Sequence, residues 1–275
     1  MKRPGVAVLV RVHQRTTDLK VCLEVIRKYW KIYDYHVVVV SNGVKKGYGI
    51  SDEIRALADK VIELEPLEHI SGSSQLLLEG LQFIPDQFKY AVLLEADTWV
   101  FSDRLVDKYI RLMQAKKAVW ASAEWIKKVH SLALDFAIVE MRFLKNNPDI
   151  FKFKKTPETF VCNCLRSRQG RYLFISECMP VHFPKFMRLF YNSKTGRMHS
   201  FSRAQMVTHH LEHLDGGMEE KKNLANIAAG FKAFNTGQTP SEIRAGRLRL
   251  KLVESAMKIM PQSRWLKPKK TQGMD

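Results

Sequence analysis

A buried strand that ends in two acids is the feature that most constrains the fold of this chain. The apolar run Tyr90–Leu94 leads directly into Glu95, Ala96 and Asp97. An unbroken apolar run is typical of an inner strand of a parallel sheet, and ligands of open α/β sheets bind where such strands end. Two acids at the edge of a dry core are costly unless a cation meets them. The run therefore predicts an α/β fold in which a divalent metal carries a phosphorylated ligand.

The order of the predicted elements indicates a mostly parallel sheet with helices on both faces. The predicted strands cover residues 6–12, 36–41, 60–64 and 90–97, and the predicted helices begin near Thr17 and Ser71. The strands read as short apolar runs, whereas the helices carry apolar residues every three or four positions. This β-α-β-β-α-β order is typical of parallel α/β proteins.

Further elements of both kinds are predicted after residue 97. Helices are predicted over 103–115 and 132–144, and strands over 119–124, 172–176 and 179–183. Near Tyr191 the composition shifts toward His, Lys and Arg, and the chain reads as helical from there. Thr239 and Glu242 form a capping signature for the last helix. We therefore predict an α/β domain over 1–190 and a helical, basic region over 191–275.

The charge of the chain favours an anionic partner. The 275 residues carry a formal net charge of +17, which suits nucleic acid, a membrane surface, a phosphorylated substrate or an acidic glycan. The four cysteines form no C-x-x-C pair, which favours buried thiols in a reducing compartment. Arg11 interrupts the first apolar run, and no segment reaches the ~20 apolar residues that span a membrane. We expect a cytoplasmic protein, with peripheral contact to the inner face of the membrane as an option.

Four blocks of the sequence resemble the nucleotide-diphospho-sugar glycosyltransferases of the GT-A fold, in particular the inverting group called family 2. The blocks are residues 6–12, 37–43, 72–94 and 95–97, and the last stands in the place of the D-x-D motif. The resemblance covers roughly residues 6–184 and implies a GT-A, Rossmann-like sheet. It departs from the family at Glu95, where Asp is usual, so Asp97 is the stronger candidate for a direct metal ligand.

The resemblance also implies which residues hold the donor. Contacts to the nucleotide sugar are expected from Arg11, Val12, Arg15, Asn42, Gln75, Glu95 and Ala96. A divalent metal, Mn2+ or Mg2+, is expected at Asp97 and Glu95, with His182 as a further ligand near the diphosphate. The residues themselves leave other interpretations open, because basic and amide side chains also suit surface loops and His182 also suits a packed strand end.

A fifth, fainter block supplies a candidate general base. Glu158 and Thr159 stand where family members often carry a Glu-Asp pair. In the resemblance, Glu158 takes the proton from the acceptor hydroxyl. Its place directly after Pro157 equally suits an acid that stabilises the N-terminus of a helix. Glu124 and Glu177 are the other candidates for the base.

These expectations combine into one predicted function. The chain would transfer a sugar from a nucleoside-diphosphate donor, with a UDP-sugar favoured, to a glycan or lipid-linked acceptor. By resemblance the reaction is metal-dependent and inverts the anomeric carbon. The predicted setting is the synthesis of cell-surface polysaccharide or lipopolysaccharide.

Two other classes of protein stay open at the level of residues. The charge of +17 allows a nucleic-acid-binding protein, although no helix-turn-helix, RNP-type strand or zinc-finger spacing is visible. His209, Glu212 and His213 form the pattern H-x-x-E-H, in which the two histidines would lie on one helix face as zinc ligands. A zinc hydrolase also needs a third protein ligand, and the sequence does not identify one.

The last predicted helix, over 241–260, has two interpretations. Its apolar stripe is Ile243, Leu250, Val253, Met257 and Met260, with Arg244, Arg247, Lys251 and Lys258 beside it. Trp265 and further cations follow. Residues 241–270 either dock on an anionic membrane surface or pack on the main domain with a solvated basic face.

Overall fold

The chain divides into two compact units in a computed structural model, Met1–Ser176 and Glu177–Asp275. The structure describes residues 3–67, 69–124, 131–178, 199–208 and 217–260. The sequence placed the domain boundary after residue 190, which lies outside the described residues.

A seven-stranded sheet forms the centre of the first unit, counted over its described residues. The strands of this unit are β1 (Arg3–Val12), β2 (Tyr33–Ser41), β3 (Lys60–Glu63), β4 (Tyr90–Glu95), a short β5 (Trp99–Val100), β6 (Trp120–Glu124), β7 (Leu132–Glu140) and β8 (Tyr172–Phe174). The sheet order is β3-β2-β1-β4-β7-β6-β8. Every neighbouring pair is parallel except those that β7 makes with β4 and β6.

Helices bury both faces of this sheet. They are α1 (Thr16–Tyr29), α2 (Asp52–Arg55), α3 (His69–Gln82), α4 (Arg104–Lys116), α5 (Met141–Asn146) and α6 (Pro157–Ser167). Leu9 and Leu93 pack with Leu77 of α3 on one face. Val8 and Val10 point to the other face and are fully buried too, while α1 contacts β1 and α4 contacts β6. The predicted fold class, a mostly parallel α/β sheet with helices on both faces, is confirmed.

Close packing of α3 on the sheet places the start of this helix at the carboxyl edge of the strands. A Cβ at Gly80 would lie 2.6 Å from Leu9 Cδ1 and 2.8 Å from Val40 Cγ2. Only a residue without a side chain therefore allows this approach. Because α3 runs back against β1 and β2, Gly72 and Ser73 in its first turns come next to the residues that follow those strands.

The sequence predicts one helix over 132–144, and this prediction is wrong for most of the range. β7 occupies Leu132–Glu140, and only α5 after it is helical. β7 lies between β4 and β6, and its first eight residues are all buried. An apolar run that is buried on both faces shows no alternation, so periodicity does not separate it from a buried helix.

The second unit combines a small hairpin with two helices. Its described elements are β9 (His199–Phe201), β10 (Met206–Thr208), α7 (Gly217–Ala229) and α8 (Pro240–Ile259), and β9 pairs antiparallel with β10. The prediction that this region is helical is correct for α7 and α8 and wrong for 199–208, because three-residue strands are too short to show a period. The strand predicted over 179–183 and the H-x-x-E-H pattern lie outside the described residues.

The predicted cap and the predicted apolar stripe of α8 are both present, and the stripe is packed. The Thr239 side chain accepts from the Glu242 backbone N–H while the Glu242 carboxylate accepts from Thr239, which completes the capping box. Ile243, Leu250 and Val253 are buried, and Leu250 clusters with Ile227 of α7.

Within the described residues, no helix is both long enough and apolar enough to cross a membrane.

Candidate functional site

The register of the sheet brings three predicted site segments together. β1 pairs with β2 and with β4, so Arg11 lies between Val40 and Glu95. The backbone continues this pairing just past the strands: Asn42 N–H donates to the Val12 carbonyl at 3.4 Å, and Ala96 N–H donates to the Arg11 carbonyl at 3.0 Å. Parallel strands end at the same edge of a sheet, so the segments after β1, β2 and β4 lie side by side at this edge.

Arg11 is a buried cation that links four parts of the first unit. The residue is only 5% exposed. Its Nη2 donates to Glu95 Oε1 at 2.5 Å and to the Leu134 carbonyl at 2.8 Å, and its Nη1 donates to Ser73 Oγ at 3.0 Å. The guanidinium thus connects β1 to β4, β7 and α3. A buried guanidinium needs such partners because an unpaired charge inside a protein is costly.

The second acid of the motif also has an arginine partner. Arg15 Nη1 lies 3.3 Å from Asp97 Oδ2, with the Arg15 side chain 22% exposed and that of Asp97 10% exposed. The sequence argument treated Glu95 and Asp97 as acids that only a metal would neutralise, and the structure corrects that premise. Each carboxylate meets a guanidinium from the β1 segment, so the chain itself offsets their desolvation.

The carboxylates still fit a divalent cation in the chemistry of their donors. Mg2+ takes oxygen ligands and is often held by one or two carboxylates together with substrate phosphates. Asp97 suits this role better than Glu95, since its arginine is more exposed than the buried Arg11. Among the described residues, no group of three or more His, Cys, Asp or Glu is placed to hold a metal. The predicted ligand His182 lies outside the described residues.

Amide side chains form a second group at the same edge. Asn42 is 1% exposed, and its Oδ1 lies 2.8 Å from His13 Nδ1. Its Nδ2 donates to the Gly72 carbonyl and to Gln75 Oε1, both at 3.3 Å. An amide oxygen only accepts, so His13 donates through Nδ1 and its Nε2 faces away from Asn42. The predicted residues Asn42 and Gln75 therefore belong to one cluster, whose roles toward a ligand stay predictions.

Two glycines allow this cluster to be compact. A Cβ at Gly43 would lie 1.7 Å from the His13 carbonyl oxygen, and one at Gly72 would lie 2.9 Å from Asn42 Nδ2. The loops after β1 and β2 thus touch backbone to backbone. The glycine that follows Asn42 is therefore required by the contact of the two loops.

The candidates for the general base occupy different places. Glu158 lies in the first turn of α6 and is half-buried, as both of its interpretations require. Glu124 is the last residue of β6 and pairs with Leu132, which puts it at the same sheet edge as Glu95. Glu177 belongs to the second unit. The choice among them stays a prediction.

Sequence reasoning missed His13, Ser73 and Asp135 at this edge. Asp135 is 7% exposed on β7, directly before Phe136, the partner of Leu94 at the end of β4. Its signal, one acid inside an apolar run, was hidden because the run was predicted as a helix. His13 and Ser73 gave no signal, since their positions depend on how the loop after β1 meets the first turns of α3.

No family model and no curated protein sequence match this chain. Three solved structures are similar to it in fold. Mouse xyloside xylosyltransferase 1, in its apo form, is 9% identical over 63% of this chain and 86% of its own, with a TM-score of 0.44. The mannosyltransferase PcManGT of Pyrobaculum calidifontis, in complex with GDP-Man and Mn2+, is 12% identical over 92% and 71%, with a TM-score of 0.46.

The third similar structure is TarS of S. aureus, which is 11% identical over 88% of this chain, with a TM-score of 0.47. The chain spans 41% of the length of TarS. At such identities and TM-scores the chemistry of this chain must be argued from its own site.

We predict that Gly43→Ala destabilises the first unit, whereas Gly49→Ala does not. The added Cβ at Gly43 would meet backbone, which cannot rotate away, while a Cβ at Gly49 has nothing within 4 Å. Overpacking of this kind costs about 3 kcal/mol, and an exposed substitution about 0.5 kcal/mol or less. Urea unfolding of the two variants beside wild type measures the difference. Equal stability of the two variants would contradict the close approach of the loops.

We also predict that replacing Arg11 and replacing Glu95 have non-additive effects on the free energy of unfolding. Glu95→Gln leaves the 5% exposed Arg11 guanidinium without its carboxylate partner, and an uncompensated buried charge costs about 3 kcal/mol. Replacing both members, Arg11→Met with Glu95→Gln, removes the unmatched charge and should recover about half of that loss or more. A double-mutant cycle of urea midpoints tests this. Simple addition of the two single effects would show that the pair is not coupled.

Proposed function

We propose that this chain is a glycosyltransferase that uses a nucleoside-diphosphate sugar. The observation that carries the proposal is the convergence of Arg15–Asp97, Arg11–Glu95 and the Asn42 cluster at one carboxyl edge of the sheet. Such an edge is where α/β proteins bind nucleotides. The sequence blocks that resemble family 2 contain Arg11, Asn42, Gln75, Glu95 and Asp97, so the resemblance and the geometry support the same place.

In this proposal the amide cluster and the charged cluster have different tasks. His13, Asn42 and Gln75 offer donors and acceptors in fixed directions, which suits the edge of a nucleobase. Arg15, the more exposed arginine, exchanges Asp97 for a phosphate oxygen of the donor and so orients the diphosphate. Arg11 holds Glu95 in place and does not itself leave the core. A divalent cation at Asp97, when bound, supplies Lewis-acid stabilisation of the departing diphosphate.

The proposed transfer is a direct displacement with inversion. A carboxylate takes the proton of the acceptor hydroxyl, the acceptor oxygen bonds to the anomeric carbon, and the bond from that carbon to the diphosphate oxygen breaks. Glu158 is the proposed base, with Glu124 and Glu177 as the alternatives. The proposed donor is a UDP-sugar and the proposed acceptor a glycan or lipid-linked sugar.

The proposed setting is the cytoplasmic side of a membrane, in the synthesis of cell-surface polysaccharide or lipopolysaccharide. A chain with a charge of +17 suits acceptors that carry phosphate or lie at an anionic surface. A nucleic-acid-binding role would draw on the same charge and stays an outcome of the tests below.

We predict that UDP binds with manganese present and that Asp97→Asn weakens this binding at least tenfold. The variant keeps the size of the side chain and loses the charge that faces the cation. Calorimetric titration of UDP and of GDP, with and without Mn2+, gives both the base preference and the metal dependence. Asp52→Asn, the same change at an exposed position in α2, is the matched control.

Three outcomes of the titration are informative. Loss of binding in Asp97→Asn alone supports the proposed site. Binding of equal strength without metal would support a site in which Arg15 neutralises the diphosphate without a cation. Binding of neither nucleotide by wild type would contradict the proposal.

We predict that Glu158→Gln slows turnover by about 10²- to 10⁴-fold while nucleotide affinity is unchanged. The amide has the same shape but cannot take a proton. Release of the nucleoside diphosphate is the readout, with water in the place of the acceptor until the acceptor is known. Glu124→Gln and Glu177→Gln are the matched comparisons. If one of these slows turnover and Glu158→Gln does not, that residue is the base.

A further inference from the structure

Helix α8 carries a second apolar stripe that faces away from α7. Leu248 is 60% exposed, Leu252 is 62% exposed and Ile259 is 84% exposed. Their spacing of four and seven residues places them within ~40° of one another around the helix axis. They form an exposed apolar ridge, separate from the buried stripe of Ile243, Leu250 and Val253 that the sequence singled out.

Cations border this ridge along the helix. Arg244, Lys251 and Lys258 are exposed on one side of it, and Arg249 is exposed on the other. Arg203, in the turn between β9 and β10, donates to Ser255 Oγ at 3.3 Å and so adds a fifth cation beside the ridge.

The acids of α8 balance only one of these cations. Glu254 is 1% exposed, accepts hydrogen bonds from the backbone and hydroxyl of Ser202, and lies 4.0 Å from Arg203 Nε, so it offsets the charge of Arg203. Glu242 is engaged in the capping box at the start of the helix. The exposed face of α8 therefore combines an apolar centre with a positive border.

We infer that this face of α8 binds the surface of an anionic phospholipid membrane, with the helix lying in the plane of the interface. An apolar ridge enters the boundary between headgroups and acyl chains, and long Lys and Arg side chains reach from its border to the phosphates. Anionic lipids attract such basic borders. The chain continues past Met260 with Arg264, Trp265 and Lys267, a composition of the same character.

Charge favours a membrane over the other occupants of such a face. A second copy of the chain would bring four like charges against four, which opposes the pairing of two ridges. Nucleic acid would satisfy the cations but would leave the three apolar side chains in water, because phosphate contacts need no apolar surface. Only an anionic lipid surface matches both the centre and the border.

The test compares three triple variants of the full chain on vesicles. The ridge variant carries Leu248→Gln, Leu252→Gln and Ile259→Gln. The border variant carries Arg244→Gln, Lys251→Gln and Lys258→Gln. The control carries Arg104→Gln, Lys108→Gln and Lys116→Gln, which removes the same charge from the exposed side of α4. Co-sedimentation uses vesicles of phosphatidylcholine alone or with phosphatidylglycerol.

We expect wild type to bind the phosphatidylglycerol vesicles and to bind the neutral vesicles at least about tenfold more weakly. The ridge and border variants should each lose about tenfold or more on the anionic vesicles, and the α4 control should keep wild-type binding. Thermal unfolding confirms that the variants are folded, since every replaced side chain is exposed. UDP binding should be unchanged in all three, so the result is independent of the proposed function.

Five results would overturn the inference. These are no binding of wild type to anionic vesicles, unchanged binding of the ridge variant, and an equal loss in the α4 control, which would indicate attraction by net charge alone. The fourth is a molecular mass in solution that differs between the ridge variant and wild type while the variant still binds vesicles. This result would assign the face to a second copy of the chain. The fifth is competition by duplex DNA. If DNA displaces the wild type from the vesicles, and only the border variant loses its binding to DNA, the charge would be assigned to nucleic acid.

Discussion

The ion pair between the buried Arg11 and Glu95 is the interaction on which the carboxyl edge of the sheet depends. A guanidinium that is 5% exposed must find its partners inside the protein, and here they come from β4, β7 and α3. The hydrogen bonds of Arg11 therefore tie β1 to these three elements at the edge where the strands end. Residues that need precise directions, such as Asn42 and Gln75, are placed against this fixed point.

The two arginines of the β1 segment divide two tasks that need different degrees of burial. Arg11 is locked by three hydrogen bonds and stabilises the edge, whereas the contact of Arg15 with Asp97 is longer, at 3.3 Å, and Arg15 is more exposed. In the proposed function a ligand with phosphate groups competes with Asp97 for Arg15. The same competition at Arg11 would break the hydrogen bonds of a guanidinium that is only 5% exposed. The proposal therefore assigns the exchange of partners on ligand binding to Asp97 and Arg15.

The sequence predicts those parts of the fold whose local pattern agrees with their final surroundings. The strands β1, β2 and β4 are apolar because both of their faces are covered, and their ends carry the polar residues of the site. β7 has the same burial, but its apolar run shows no period that separates a buried strand from a buried helix, so the sequence predicts a helix there. The pairing of Arg11 with Glu95 was also beyond reach, because it joins residues 84 positions apart whose opposition follows only from strand register.

Helix α8 shows why one periodic pattern can support two surfaces. A twenty-residue helix with apolar residues at both Leu250 and Leu252 has two apolar stripes, and the sequence alone does not say which one meets the protein. The buried Glu254 decides it, because a carboxylate that accepts two hydrogen bonds from Ser202 must face the hairpin. Burial raises the pKa of this carboxyl group above its usual value. Because that side of the helix faces the protein, Leu248, Leu252 and Ile259 face outward among cations. Packing and membrane docking are therefore not alternatives, since they concern opposite faces of the same helix. One face packs, and the opposite face is open to an anionic surface.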